Sequence, residues 1–170
     1  MVYLFPTEME ASAFRRLCPD AEVHISGVGM AATAATLARL ATKRREACYV
    51  LAGIAGSYGD AVALCDVVEV VSERCVELPT RFVEEYVVMP RTHLRGVRSN
   101  TVCRAMEHGL GAEVENMEGA ALFAMAEALG LEVMEIRAIS NRVGDSFDKW
   151  AVDEAVEALA HELKRLNDDK

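Results

Sequence analysis

The chain has 170 residues, of which 52% are hydrophobic and 26% are charged, and its formal net charge at pH 7 is −9. This length is typical of one domain, and the hydrophobic content is that of a folded protein rather than a disordered one. The negative charge argues against a nucleic-acid partner, because such binding depends on clustered Lys and Arg side chains. The sequence therefore predicts a single folded domain over residues 1–170.

The sequence carries no signal for a membrane, a disulfide framework or a metal. No stretch approaches the ~20 consecutive apolar residues that span a bilayer, and Glu8 and Glu10 lie where a secretory signal would be apolar. The five cysteines are scattered without a CxxC pair, which is typical of reduced thiols, and the four histidines lack the spacing of metal ligands. We therefore predict a cytoplasmic protein with no cofactor and no metal ion.

Apolar runs alternate with helical patterns along the chain. Pro6 closes the first apolar run because proline supplies no N–H to a ladder, and Gly130 stands where a helix C′ residue belongs. The patterns predict strands at Val2–Phe5, Glu22–Ile25, 47–51, 67–71, 86–88 and 133–139, helices at 7–17, 30–42, 117–129 and 152–166, and an irregular stretch between 75 and 95.

This order of elements predicts an α/β fold. Strands separated by helices favour a three-layer αβα sandwich, in which a mostly parallel, mixed central sheet lies between two layers of helices. Ligands of such sheets bind at the carboxyl ends of the strands. The loops that follow Phe5, Ile25, Leu51 and Ile139 are therefore the expected location of a site.

The segment Gly27-Val28-Gly29-Met30-Ala31-Ala32 fits the GxGxxA pattern of dinucleotide-binding turns. That pattern also needs an acidic residue at the end of the following strand to hold a ribose, whereas Glu46 precedes that strand. The glycines let backbone N–H groups approach a ligand, and the helix start adds a partial positive charge. We interpret the turn as one that admits a ligand and keep dinucleotide binding as the alternative.

Three polar residues occur where predicted elements begin or end. Thr7 and Glu10 have the spacing of a capping box, so a helix cap is the structural interpretation of Glu10. Glu118 opens an otherwise apolar helix, where either the helix dipole stabilises it or partners offset its burial. Asn141 follows the strand 133–139, at the position where open sheets present ligand-binding side chains, although an ordinary exit from a strand into a loop is also compatible with this pattern.

Five short segments occur in the order expected of one superfamily. They are TEME at Thr7, SGVGMAA at Ser26, GIAG at Gly53, ENMEGAA at Glu115 and RAISN at Arg137. Together they resemble the purine nucleoside phosphorylase and methylthioadenosine/S-adenosylhomocysteine (MTA/SAH) nucleosidase superfamily, over residues 2–163. Residues 115–150, and GVRSNTV at Gly96, are most similar to the futalosine hydrolase family within it, which acts in the alternative route to menaquinone.

The resemblance implies a nucleosidase-like domain and gives roles to specific residues. It implies that Glu118 accepts hydrogen bonds from the ribose 2′ and 3′ hydroxyls, that Met117 lies under the sugar and that Glu10 positions the attacking water. Asn141 is expected to accept N7–H through its amide oxygen and to donate its NH₂ to a 6-oxo group, which suits hypoxanthine rather than adenine. The other expected substrate contacts are Gly29, Gly53, Ile54, Val102, Cys103, Asn116 and Ser140.

Water is the nucleophile that the resemblance implies. Phosphorylases of the superfamily bring arginines to the first glycine turn, whereas here that turn continues with Met30-Ala31-Ala32. The expected activity is hydrolysis of the N-glycosidic bond of a small-molecule, futalosine-like 6-oxopurine nucleoside with release of hypoxanthine. The expected assembly is a homodimer or larger homo-oligomer, without a nucleic-acid or membrane partner.

Several departures from the family pattern keep alternatives open. The chain is shorter than typical members between Leu17 and Glu22 and between Glu77 and Gly96, and Ile54 stands where adenosine-type nucleosidases have a serine. An MTA/SAH nucleosidase, a purine nucleoside phosphorylase and a non-catalytic nucleoside-binding module are the three alternatives.

Overall fold

The computed structural model describes residues 1–106 and 108–168. Its elements in chain order are β1 Val2–Phe5, α1 Glu8–Leu17, β2 Glu22–Ile25, α2 Met30–Ala41, β3 Cys48–Ser57, β4 Val67–Cys75, β5 Glu85–Val87, β6 Arg95–Thr101, β7 Val114–Asn116, α3 Gly119–Leu129, β8 Glu132–Arg142 and α4 Val152–Asp168, with 3₁₀ turns at Thr80–Phe82 and Phe147–Lys149. Within these described residues, no helix is both long and apolar enough to cross a bilayer.

The strands form one mixed sheet in which most neighbours are parallel. The parallel pairs are β1–β2, β1–β3, β3–β8, β4–β6 and β6–β7, and the antiparallel pairs are β3–β7, β4–β5 and β4–β8. Strands β3, β7, β6, β4 and β8 pair in a closed ring, which β1 and β2 extend from β3. The predicted α/β fold with a mostly parallel, mixed sheet is confirmed, and the closure of five strands is a feature that the sequence did not predict.

Two apolar cores hold the helices against the sheet. In the first, Leu37 of α2 and Leu122 of α3 are fully buried with Leu51 of β3. In the second, Phe14 of α1 and Leu159 of α4 are fully buried with residues of β1 and β8. Burial of each such side chain contributes about 1.5–3 kcal/mol. Helices α2 and α3 thus pack in one layer and α1 and α4 in the other, with the sheet between them.

Strand β3 is longer than the sequence predicts. It continues to Ser57, whereas the predicted strand ends at residue 51, before Gly53. A Cβ atom at Gly53 would lie 2.8 Å from Arg137 Nη1 and 2.8 Å from Glu10 Oε1. The glycine therefore allows two side chains to approach the strand closely, and it does not end the strand. The loop expected after residue 51 begins only after Ser57.

Other elements also differ from the predictions. β6 and β7 form in segments where no strand was predicted. These strands lack an apolar pattern because several of their buried residues, such as Asn100 and Asn116, are polar. β8 extends to Arg142, so Asn141 lies within a strand. The predicted C′ position of Gly130 is confirmed, since this residue ends α3 in the left-handed conformation with φ 64°.

Candidate active site

A cavity of about 360 Å³ lies at the carboxyl ends of β1, β3 and β8, close to the start of α3. This volume is within the range of small-molecule sites. Eight of the eleven residues expected to contact substrate line it, namely Glu10, Ile54, Val102, Asn116, Met117, Glu118, Ser140 and Asn141. The structure thus brings together residues that lie up to 131 positions apart in the sequence, between Glu10 and Asn141.

The other three expected residues have different locations. Gly29 is next to the cavity, where its N–H donates to Glu118 Oε1. Gly53 lies behind the lining, against Glu10 and Arg137. Cys103 is exposed at the surface, and its N–H donates to Glu77 Oε2 at 2.7 Å. Cys103 is therefore not among the lining residues of the cavity.

Glu118 is buried with both carboxylate oxygens engaged. Oε1 accepts the Gly29 N–H at 2.9 Å, and Oε2 accepts from Arg137 Nη2 at 3.1 Å. The side chain is 3% exposed and lines the cavity. Each oxygen keeps a free lone pair, so the carboxylate can accept hydrogen bonds from a ligand while its two anchors hold it in position.

The start of α3 is capped by Asn116 and not by Glu118. Asn116 Oδ1 accepts from the backbone N–H groups of Glu118 at 2.8 Å and Gly119 at 2.7 Å. Glu118 occupies the N-cap position without a side-chain capping bond. The interpretation of Glu118 as a partner of its own helix terminus therefore fails, because its carboxylate instead contacts the N-terminus of α2 at Gly29.

This contact also argues against dinucleotide binding at the Gly27 turn. The fingerprint uses the free N–H groups at a helix N-terminus to bind a pyrophosphate. Here the Gly29 N–H already donates to a buried carboxylate, which would repel a phosphate. The turn therefore serves to anchor Glu118.

Glu10 forms the expected helix cap and also lines the cavity. Its N–H donates to Thr7 Oγ1 at 3.2 Å, which is the expected helix cap. Its carboxylate accepts from the Thr7 hydroxyl at 2.6 Å and from the Ile54 N–H at 3.0 Å, and it lines the cavity. Burial raises the pKa of Glu10, although the bonds from Thr7 and Ile54 and the charge of Arg137 oppose this change. A buried carboxylate with a raised pKa is suited to accept a proton from water.

Asn141 presents a buried amide near the carboxyl end of β8. Its Oδ1 accepts from the Ser140 hydroxyl at 2.8 Å, and its Nδ2 donates to the Arg142 carbonyl at 3.0 Å. One lone pair of Oδ1 and one hydrogen of Nδ2 are left for a ligand. The amide can therefore offer an acceptor and a donor side by side.

Arg137, for which no role was predicted from the sequence, is the buried cation that organises the site. It is fully buried and donates to Glu135 Oε1 at 2.8 Å, Asn116 Oδ1 at 3.0 Å and Glu118 Oε2 at 3.1 Å. Burial alone lowers the pKa of Arg137, but the charges of Glu135, Glu118 and Glu10 more than offset this and raise it. The guanidinium thus stays charged and holds Glu118 toward the cavity.

A buried pair of carboxyl groups lies behind this arginine. Glu73 and Glu135 are both fully buried, and a Cβ atom on Gly119 would collide with Oε2 of each. Glu73 accepts from Asn116 Nδ2 at 2.8 Å and Thr101 Oγ1 at 2.9 Å, whereas Glu135 Oε2 has no hydrogen-bond partner among the described residues. Burial, and then the charge of Glu135, raise the pKa of Glu73 to about 8.

The proton on Glu73 should make stability depend on pH. The unfolded state releases this proton near the ordinary pKa of 4.5 and the folded state near 8, so the folded state binds more protons between these values. The free energy of unfolding should therefore fall as pH rises from 6 to 8, by up to about 1.4 kcal/mol per pH unit from this group. Glu73→Gln should flatten that slope in urea unfolding at pH 6, 7 and 8. Equal slopes for the two proteins would contradict this prediction.

The charge of the cavity lining is entirely negative. The lining includes the carboxylates of Glu10, Glu115, Glu118 and Asp145, and none of its described residues is Lys, Arg or His. The described residues also contain no cluster of three or more His, Cys, Asp or Glu side chains that could hold a metal ion. The cavity can accept hydroxyl and N–H hydrogens and support a developing positive charge, but it offers no cation to an anionic co-substrate.

The mouth of the cavity is aromatic and apolar. Phe147 and Trp150 both line it, with their ring centroids 5.2 Å apart, and Phe147 is 74% exposed. Met9 and Val28 are partly exposed lining residues of the same cavity. No role was predicted for these four residues, because an apolar residue at a loop or helix start has no distinguishing pattern.

Part of the chain is similar to a known superfamily. A family model described as "Phosphorylase superfamily" matches residues 95–167, the part that contains Asn116, Glu118, Arg137 and Asn141. The resemblance to this superfamily, predicted from short motifs, is confirmed.

Part of the chain is also similar in sequence to a characterised enzyme. Futalosine hydrolase of Thermus thermophilus is 45% identical over 64 residues, which are 36% of this chain and 28% of that protein. The match thus covers well under two thirds of the relative's own length.

Solved structures agree in fold over nearly the whole chain. An MTA/SAH nucleosidase superposes with a TM-score of 0.81 at 15% identity, and the 5′-methylthioadenosine nucleosidase of Arabidopsis thaliana with 0.83 at 14%; each match covers 99% of this chain and 94% of the other. A mutant of futalosine hydrolase from Helicobacter pylori has a TM-score of 0.80 at 14% identity, over 99% and 98%. At these identities the structures establish the shared fold.

Proposed function

We propose that this protein hydrolyses the N-glycosidic bond of a purine nucleoside whose base is a 6-oxopurine, as in futalosine, and that it releases hypoxanthine. One observation carries the proposal. A single cavity presents the anchored carboxylate of Glu118, the buried carboxyl of Glu10 and the amide of Asn141, without a cation among its described lining residues. The names of the relatives, nucleosidase and futalosine hydrolase, support the same reaction class.

The mechanism uses these three groups around one bond. Departure of the base leaves positive charge on the ribose, and the Glu118 carboxylate stabilises that charge while accepting from the ribose hydroxyls. Glu10 orients a water and takes its proton as the water attacks the anomeric carbon. As the C1′–N9 bond breaks, its electron pair goes to the base and N7 takes a proton from solvent. Asn141 accepts that N7–H and donates to O6, so that the base leaves as neutral hypoxanthine.

Water is favoured over phosphate by charge. A phosphorylase must stabilise a phosphate, usually with arginine side chains. The described lining instead carries four carboxylates, and Arg137 is fully buried behind Glu118. An anionic nucleophile would be repelled in this cavity.

An assay of base release separates the candidate functions. Purified protein is incubated with futalosine, inosine and 5′-methylthioadenosine, each with and without phosphate, and free base is measured by chromatography. Hypoxanthine release that is equal with and without phosphate is expected. Dependence on phosphate would indicate a phosphorylase, and release of adenine alone would indicate an MTA/SAH nucleosidase. A nucleoside that raises the melting temperature without being cleaved would indicate a binding module.

The identity of residue 141 should control base preference. In Asn141→Asp the NH₂ donor to O6 is lost and a second acceptor appears, which suits the 6-amino group of adenine. The ratio of kcat/KM for inosine to that for adenosine should fall about 10-fold or more, the value of a hydrogen bond to a charged group. Asn167→Asp, the same change at an exposed position of α4, should leave the ratio near the wild-type value. An unchanged ratio in Asn141→Asp would mean that this residue does not contact the base.

The biological setting follows from the proposed substrate. Hydrolysis of futalosine would give the protein a role in menaquinone biosynthesis in the cytoplasm. We also propose a homodimer or larger homo-oligomer, because Met9, Val28 and Phe147 leave apolar surface at the cavity mouth. Light scattering of the purified protein would measure the assembly directly.

A further inference from the structure

A buried carboxylate that the proposed mechanism does not use, Glu135, lies behind the arginine that holds Glu118. It is fully buried in β8, two residues before Arg137 and on the same face of the strand. Its Oε1 accepts from Arg137 Nε at 2.8 Å, while Arg137 Nη2 donates to Glu118 Oε2 at 3.1 Å. The three side chains thus form a row that leads inward from the cavity, with one guanidinium between two carboxylates.

Glu135 is the ionised member of its buried carboxyl pair. The charged groups that face it are Arg137 on β8, Glu73 on β4 and Glu118 at the start of α3, and Glu10 of α1 acts on the same arginine. Among the described residues, Arg137 donates to Glu135 and not to Glu73. The negative charge is therefore held at Glu135 and the proton at Glu73, where burial and the charge of Glu135 raise the pKa to about 8.

The geometry of the pair allows that proton to be shared. The Oε2 atoms of Glu73 and Glu135 both lie against the position that a Cβ atom of Gly119 would occupy. Oε2 of Glu135 has no other hydrogen-bond partner among the described residues. A proton on Glu73 can thus reach this oxygen, while Oε1 of Glu135 stays bonded to Arg137.

We propose that Glu135 is a positioning residue for the reaction: it orients and neutralises Arg137, so that Glu118 keeps a net negative charge for the ribose. This inference rests on the proposed function. Without Glu135 the guanidinium would still hold Glu118 in place, but it would also cancel the charge of that carboxylate. With Glu135 behind it, the arginine supplies a hydrogen bond and no net charge. The negative field that remains acts mainly on the transition state, because positive charge appears on the sugar only there.

Removing only the charge of Glu135 tests this role. In Glu135→Gln an amide oxygen still accepts from Arg137 Nε, so the arginine keeps its place. For inosine, kcat should fall about 10-fold, the effect of one charge at roughly 10 Å in an effective dielectric of about 20. KM should change little, because the ribose of the bound substrate is neutral. Glu69→Gln, which alters a buried carboxylate outside the cavity lining that bonds to Arg91 and Thr92, is the control and should leave kcat unaltered.

Two sugar mimics separate charge from shape without turnover. 1,4-Dideoxy-1,4-imino-D-ribitol has a protonated ring nitrogen near neutral pH, and 1,4-anhydro-D-ribitol is its neutral counterpart. Calorimetry at pH 6 should show that wild-type protein binds the cation at least about 10-fold more tightly, and that Glu135→Gln loses about 10-fold of this preference. Equal losses of affinity for the two ribitols would show that Glu135 only supports the packing around Arg137, and would overturn the inference.

Glu73 supplies a readout that a purely structural role of Glu135 would not produce. In Glu135→Gln one of the two causes that raise the pKa of Glu73 is gone, so Glu73 ionises as pH rises from 6 to 8 and returns a negative charge behind Arg137. The preference for the cationic ribitol should partly recover at pH 8. It should not recover in the double variant Glu73→Gln, Glu135→Gln, which has no carboxylate there.

The double variant also carries the test if Glu135→Gln does not fold, because its two amides can hydrogen-bond to each other. A preference for the cation equal to that of wild-type protein in the double variant would overturn the inference. If wild-type protein cleaves no purine nucleoside, the proposed function fails, whereas the comparison of the two ribitols still decides the role of Glu135.

Discussion

Replacing Glu118 by alanine is expected to lower kcat/KM for nucleoside hydrolysis by about 10²–10³-fold, the usual effect of removing one preorganised electrostatic group from a site. The carboxylate is held at two points, by the Gly29 N–H and by Arg137, before any substrate arrives. Little reorganisation is therefore needed when positive charge develops on the ribose, and most of its stabilisation is realised in the transition state. The loss should appear in kcat as well as in kcat/KM.

A substrate without the ribose 2′-hydroxyl tests whether Glu118 acts through the sugar. Wild-type protein should cleave 2′-deoxyinosine much more slowly than inosine if the carboxylate accepts from that hydroxyl. In Glu118→Ala the two substrates should be cleaved at similar rates, because the contact is already absent, as in a double-mutant cycle. Glu127→Ala, an exposed position on the same helix, should not change either rate. An undiminished preference for inosine in Glu118→Ala would show that Glu118 does not act through the ribose 2′-hydroxyl.

The helices and strands were predictable where the spacing of apolar residues and the residues that end an element indicate the same boundaries. α4 shows its apolar residues at helical spacing, and β1 ends at Phe5, directly before Pro6, as expected. β3 was predicted too short because glycine usually ends a strand, whereas Gly53 is needed for the close approach of Arg137 and Glu10. That requirement comes from side chains 84 and 43 positions away in the sequence, which no local pattern records.

The candidate site was predictable only in part, for a similar reason. Glu10, Glu118 and Asn141 carry recognisable motifs, and their motifs are adjacent in the fold. Arg137, which anchors Glu118, lies in the RAISN motif, but its role depends on contacts that the sequence does not show. The contact of Glu73 with Asn116 joins residues 43 positions apart, which no local pattern records. One local pattern does indicate a buried ion pair. Glu135 and Arg137 are two residues apart in an apolar strand and so share one face, where burial of charge requires partners.

Replacing Arg137 by methionine is expected to lower the free energy of unfolding by about 3–5 kcal/mol, since removing one partner leaves buried charges without compensation. Arg137 is the fully buried cation that bonds to Glu135 and Glu118. With typical stabilities of about 5–15 kcal/mol, the variant should be close to unfolded at physiological temperature. Urea unfolding at pH 7 measures the loss. As a control, Arg16→Met breaks an exposed pair with Glu157 and should cost less than about 1 kcal/mol.

Two further measurements identify uncompensated charge as the cause of that loss. Burial raises the pKa of Glu135 and Arg137 opposes this change, so removing the arginine raises this pKa further. The deficit of Arg137→Met relative to wild type should therefore shrink as pH falls from 8 to 5, where protonated Glu135 needs no counter-charge. The double variant Glu135→Leu, Arg137→Met should be more stable than Arg137→Met alone, because an apolar pair of similar volume replaces the ion pair. A deficit that is independent of pH and is not relieved by Glu135→Leu would instead attribute the loss to packing around the guanidinium stem.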